Sequence, residues 1–309
     1  MTAARDLIAS AALIDTLLFA DGRAEENVAG GAGLYALAGA ALFSDGGLLV
    51  TGTGEDYVDT FGPWMARNGL STDGLRLADP HTPRNLLRYI DERTRTETPM
   101  FGAAHFQRIE PRISDIERVL DGARSLYVFR DTGAAFWDDL LAWRRPRPRT
   151  VLWEISLDAC LPEELPRILA LLHHVDALSL NLEEAGRILG VDDETAICTR
   201  VAQWPARSIF LRAGSRGSYA IERGAVHFVP SLAVEAVDVT GGGNAYSGAA
   251  LVGLAEGAGC IGAAAFGTVA ASIAISQLGL PEPGDPGLRS RARRDAAALA
   301  LAITQEACT

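Results

Sequence analysis

The sequence predicts an α/β protein whose central sheet is mainly parallel and covered by helices on both faces. Two observations lead there. Short apolar runs of strand length alternate with stretches of helical pattern along most of the chain. Hydrophobic residues make up 48% of the 309 positions and charged residues 22%, the balance of a chain that buries a large core.

The elements follow in order. Leu7 to Ile14 reads as the first strand and Gly33 to Leu42 as a small-residue helix. Gly47 to Gly52 is a strand, Gly62 to Asn68 and Ser114 to Asp121 are helices, and Ser125 to Phe129 is a strand. Ala134 to Arg144 is helical, and the run Arg144 to Arg149, dense in Pro and Arg, reads as a solvated turn before the strand Thr150 to Ile155. Helix Pro162 to His173, strand Ala177 to Leu180, helix Leu182 to Leu189 and strand Ser208 to Arg212 complete the alternation. Residues Gly257 to Pro281 carry no formal charge, but Gly, Ala, Ser, Thr and Gln fill much of the segment, so packed core helices account for it better than a membrane span. A Pro/Gly cluster, Gly279 to Gly287, separates them from an Ala-rich helix at Ser290 to Glu306. No repeat is visible and no linker demands a second domain, so the expectation is one α/β domain over residues 1–309.

The formal charge of −11 opposes a broad interface with DNA or RNA. Cys160, Cys198, Cys260 and Cys308 lie far apart with no metal-ligand or disulfide spacing. The amino terminus, with Arg5, Asp6 and Asp15 around a short apolar run, does not read as a secretory signal, so a cytoplasmic protein is expected.

The densest motif is Asp238-Val239-Thr240-Gly241-Gly242-Gly243-Asn244-Ala245. Three glycines let backbone N–H groups converge on an anion, and the small residues that follow start a helix whose N-terminal dipole faces it. The run resembles the C-terminal signature of the ribokinase (PfkB) family of sugar and nucleoside kinases, and specifically a divergent subgroup of it, related to fungal killer-virus maintenance proteins, with Asn in place of the catalytic Asp. Asn244 stands at the base position, and a neutral amide hydrogen-bonds without taking a proton.

The resemblance continues in family order from residue 12 to 278. Ala12 to Asp15 resembles the end of the family's first strand, which implies that Asp15 binds substrate hydroxyls; a helix-cap or turn carboxylate is the local alternative. Gly30-Gly31-Ala32-Gly33-Leu34-Tyr35 is similar to the N-terminal glycine motif, implying that Gly30 and Gly31 approach the substrate, with Tyr35 at the usual Asn. Tyr35 then either offers a ring for stacking or packs under its helix. Gly52 to Asp56 resembles a structural turn of the family. Asn181-Leu182-Glu183-Glu184 matches an Asn-x-x-Glu motif, whose Glu helps order magnesium and phosphate; a capping box explains the same spacing locally. Arg212 to Gly217 resembles the turn along the nucleotide, with Gly214 and Gly217 as its glycines and Arg212 adding a charge suited to phosphate. Ala270 to Leu278 would flank the adenine. Glu154 closes a strand toward the ligand side, so it could face the pocket, with a surface carboxylate as the default.

The resemblance implies a ribokinase-like fold with a small β lid at about 15–29 and 84–104, ATP and Mg2+, a small sugar or nucleoside as partner, neither nucleic acid nor membrane, and a homodimer built through the lid. Three functions stay open: phosphoryl transfer impaired or altered by Asn244, a pseudokinase that binds without turnover, and non-phosphoryl chemistry such as glycosidic cleavage with Asp15 or Glu184 as the working carboxylate.

Overall fold

The computed structural model describes residues 5–90, 95–143 and 150–306. The expected turn at Arg144 to Arg149, residues 91–94 of the second lid segment and Cys308 lie outside the described residues.

Thirteen strands occur in chain order: β1 (Arg5–Ala9), β2 (Leu13–Leu18), β3 (Ala24–Gly30), β4 (Gly47–Gly54), β5 (Leu75–Asp79), β6 (Arg84–Tyr89), β7 (Arg95–Pro99), β8 (Ala123–Arg130), β9 (Thr150–Ile155), β10 (Ala177–Asn181), β11 (Ser208–Arg212), β12 (Gly217–Glu222) and β13 (Ala225–Pro230). Nine form one sheet in the order β13-β12-β11-β10-β9-β8-β1-β4-β5. From β11 to β5 every pairing is parallel, and β12 and β13 continue one edge as an antiparallel hairpin.

The alternation of side chains explains the two covered faces. Along β8, Leu126 and Val128 enter one apolar cluster while Tyr127 enters the other; Trp153 and Leu152 divide likewise on β9. The face that carries Tyr127 packs under the helices Ala32–Ala41, Gly242–Ala255 and Gly259–Ile275. The uncharged segment is thus a buried helix of the core. Among the described residues no helix is long and apolar enough to cross a membrane.

A second sheet of four strands, ordered β3-β2-β6-β7, stands apart from the first. Its strands overlap both segments expected to form the lid. It also corrects the reading of Leu7 to Ile14 as one strand. The chain leaves the main sheet after Ala9, turns through Ser10 to Ala12, and enters the small sheet at Leu13. Apolar character runs unbroken through both strands, so hydrophobicity alone does not mark the exchange. Asp15 accordingly sits inside β2 of the small sheet and not at the end of the first strand.

Candidate active site

The helix Gly242–Ala255 begins above the carboxyl ends of the parallel strands, where open α/β sheets bind ligands. Its N-cap, Gly241, has φ 72° and no side chain caps the first turn. That conformation favours glycine, and a Cβ there would also run into the Tyr35 ring, which packs flat against the turn. Tyr35 is 4% exposed, so it is a packed ring that also borders a cavity. A Cβ on Gly243 would strike the guanidinium of Arg212 behind it.

Two cavities meet at this turn. One, of about 490 Å³, is lined by Ser10, Asp15, Gly31, Tyr35, Asn85, Glu97 and, from the turn, Thr240, Gly241 and Asn244 among others. The other, of about 610 Å³, takes Gly242 and Gly243 from the same turn, with Asn181, Arg212, Gly214, Gly217, Val239, Ala271 and Ile275. Of the residues expected at the substrate end, Asp15, Gly31 and Tyr35 line the first cavity; of those expected at the nucleotide end, Asn181, Arg212, Gly214 and Gly217 line the second, while Gly30 and Glu184 are in neither lining. Gly30 closes β3 against the carboxylate of Asp15, and Gly31 turns the chain at φ 89° into the helix Ala32–Ala41. Gly214 to Gly217 form a tight turn from β11 to β12.

Beneath the glycine turn lies a buried polar chain. The register sets Tyr127 of β8, Glu154 of β9 and Arg212 of β11 on one face, each two residues beyond or level with an apolar residue of the core beneath the helix Gly242–Ala255. The Tyr127 hydroxyl donates to Glu154 Oε2 at 2.8 Å, and Asn244 Nδ2 donates to the Tyr127 hydroxyl oxygen at 3.4 Å. Arg212 lies 2.9 Å from Glu154 and 3.6 Å from Glu184. Glu184 also closes a capping box, accepting from the Asn181 N–H at 2.7 Å while Asn181 Oδ1 accepts from the Glu184 N–H at 2.8 Å.

Glu154 is 2% exposed, which overturns the surface carboxylate expected of it. Both faces of this sheet are covered, so even a strand-end carboxylate is buried, and Arg212 supplies its counter-charge. Sequence alternation identifies neither fact. Tyr127, its hydrogen-bonded neighbour, had no motif to announce it.

Burial pushes the Glu184 carboxyl up against the opposing pull of Arg212, and burial with the adjoining Glu154 holds the Tyr127 hydroxyl well above its ordinary range. Tyr127 is thus a fixed hydroxyl, not a titrating one. Arg212 has its charge shared between two carboxylates, while its Nε has no partner among the described residues. All 28 basic residues of the sequence are arginines.

A model of the pfkB family of carbohydrate kinases matches residues 119–285, more than half the chain and the part that contains Tyr127, Glu154, Asn181, Arg212 and the glycine turn. The chain belongs to this family. An uncharacterised protein of Schizosaccharomyces pombe, C16C9.01c, is 27% identical over 317 residues, covering 87% of this chain and 83% of that one. A fructokinase of Klebsiella pneumoniae is 37% identical over 111 residues, 36% of this chain and 34% of that one. Solved structures share the fold over most of the chain. A probable sugar kinase from Rhizobium etli superposes with a TM-score of 0.74 at 20% identity, covering 97% of this chain and all of that one. A putative ribokinase II from E. coli in complex with ATP and Mg2+ gives 0.72 at 13% identity, over 96% and 99%.

Proposed function

We propose that this pfkB-family chain transfers a phosphoryl group from ATP to a hydroxyl of a small sugar- or nucleoside-like molecule, with Asn244 orienting that hydroxyl instead of deprotonating it. The observation that carries the reading is the glycine turn standing as the wall between two cavities, one suited to each substrate.

The 610 Å³ cavity suits a nucleotide. Its apolar side, with Val239, Ala271 and Ile275, accepts a flat base, and it ends at an uncapped helix N-terminus that favours phosphate. Among the described residues no group of three or more His, Cys, Asp or Glu is arranged to hold a metal, so Mg2+ would be held chiefly by the nucleotide's own phosphates, with Asn181 in the cavity lining and Glu184 hydrogen-bonded to it from outside that lining. When bound, Mg2+ neutralises charge developing on the phosphates.

The acceptor hydroxyl lies in the 490 Å³ cavity beside Asn244. Tyr127 has spent its only proton on Glu154, so its oxygen can only accept. That turns Asn244 Nδ2 inward and its Oδ1 toward the cavity. Oδ1 accepts the hydroxyl proton as a hydrogen bond and leaves an oxygen lone pair for in-line attack on phosphorus. The bond from the γ-phosphorus to the ADP oxygen breaks as the new one forms, and the hydroxyl proton passes to a phosphoryl oxygen or to water. A loose transition state tolerates such late proton loss, at a cost of about 10²- to 10⁴-fold relative to a positioned base.

A second reading, binding without turnover, is favoured by Asn244 together with the neutralised charge of Arg212. Glycosidic cleavage has Asp15 in the acceptor cavity, but Glu184 is engaged in its capping box and with Arg212. ADP formation by wild type and by Asn244→Asp, over a panel of sugars and nucleosides with magnesium ATP, separates these. Turnover by wild type supports the kinase. Turnover by Asn244→Asp alone, with nucleotide stabilising both proteins, supports binding without chemistry.

A further inference from the structure

The small sheet presents alternate residues to the 490 Å³ cavity: Leu13 and Asp15 from β2, Asn85 and Leu87 from β6, and Glu97 from β7. Register sets Asp15 beside Asn85 and Leu87 beside Glu97, so three oxygen-bearing side chains cross three strands in a row. Asn85 Nδ2 donates to Glu97 Oε1 at 2.5 Å. Its nitrogen is thereby engaged, and its Oδ1 has no hydrogen-bond partner among the described residues although Asn85 is only 2% exposed. Ser10 Oγ, 1% exposed and lining the same cavity, is likewise without a partner. A buried acceptor left unmade is costly, which marks the place of a donor from a ligand.

The opposite wall adds Glu110, Asp131 and Asp158. Against these carboxylates the described lining offers one cation, Arg130, and it is engaged: 3.0 Å from Glu110 and stacked with its guanidinium carbon 4.9 Å above the Phe136 ring. A cavity so lined holds a negative potential that attracts cations and repels phosphate or carboxylate groups.

We infer that the acceptor is a hydroxylated molecule carrying a protonated amine, an amino sugar or amino polyol, and that phosphorylated sugars are excluded. The inference rests on the phosphotransfer reading only for which cavity holds the acceptor. An ammonium brings three N–H donors and a charge to a site made of acceptors. Glu97 is the side chain that sets the preference, because it is both charged and hydrogen-bonded to Asn85.

The test is direct binding by calorimetry to the whole protein without nucleotide, using neutral hexoses, their 2-amino counterparts and hexose 6-phosphates. Amino sugars bind at least tenfold tighter than their neutral partners, hexose phosphates do not saturate, and the preference vanishes when pH is raised until the amine loses its proton. Glu97→Gln reduces the preference several-fold and leaves ATP binding unchanged. Equal or tighter binding of neutral sugars, saturable binding of hexose phosphates, or no binding of any amino sugar overturns the inference. Turnover is read separately: a bound amino sugar that magnesium ATP leaves unphosphorylated refutes the kinase reading and leaves the charge preference standing.

Discussion

Asn244 Nδ2 lies 3.4 Å from the hydroxyl oxygen of Tyr127, which donates its own hydrogen bond to Glu154 Oε2 at 2.8 Å. A single proton thus decides which way an amide faces in the acceptor cavity. Tyr127→Phe removes the acceptor and frees the amide to rotate. Turnover is expected to fall roughly 10- to 10²-fold through kcat, since misplacement of a positioning group costs on that order. Stability should fall by about 1–3 kcal/mol, because Glu154 loses a partner in a buried site. Steady-state kinetics beside urea denaturation check both, and an unchanged kcat would refute the orienting role.

Arg212 holds two buried carboxylates at once. Arg212→Leu leaves both without their counter-charge and is expected to cost about 3–5 kcal/mol or to prevent folding. Glu154→Gln, which keeps the shape and leaves Arg212 paired to Glu184, should cost clearly less. Denaturation midpoints of the two variants in parallel measure the order, and the reverse order would contradict the network.

Gly241 and Gly190 both have left-handed backbone, with φ 72° and 65°. A Cβ at 190 meets nothing, whereas one at 241 meets the Tyr35 ring. Gly190→Ala should cost about 1 kcal/mol from conformation alone. Gly241→Ala should cost more, and it alone should abolish thermal stabilisation by ATP. Equal effects of the two on ATP binding would detach the turn from phosphate.

Burial raises the Glu184 carboxyl above its ordinary range, with Arg212 opposing. The folded state then keeps this proton to higher pH than the unfolded chain does. The contribution is full below the unfolded value and is lost as pH rises through the folded one. Wild type should therefore lose stability relative to Glu184→Gln as pH rises from an acidic value in the ordinary carboxylate range to neutrality. Denaturation of both proteins at the two pH values measures it, and a gap that stays constant or moves the other way contradicts the raised value.

Much of this fold is written locally. Thr150–Ile155, Ser208–Arg212 and Leu182–Leu189 occur at the bounds their patterns predict, because each is a short apolar or capped segment with a clear stop. The small sheet was less legible. Ala24–Gly30 has Glu25, Glu26 and Asn27 in succession and no clean alternation, and the passage from β1 to β2 keeps one hydrophobic character across two sheets. At the site, the glycine turn and Asp15 belong to recognisable motifs. The polar chain that links Asn244 to Arg212 does not, because Tyr127 and Glu154 lie in no motif. It is assembled from strands far apart in sequence, and only sheet register brings them onto one face.

The central claim is that Asn244 supports phosphoryl transfer by orienting a hydroxyl. Mass spectrometry of acceptors incubated with magnesium ATP and either wild type or Asn244→Ala tests it most directly. The account predicts a singly phosphorylated product from wild type, formed at least tenfold more slowly by Asn244→Ala at unchanged ATP affinity. Product formed equally fast by both, or ATP binding with no phosphorylated product from wild type on any sugar, amino sugar or nucleoside, would contradict it.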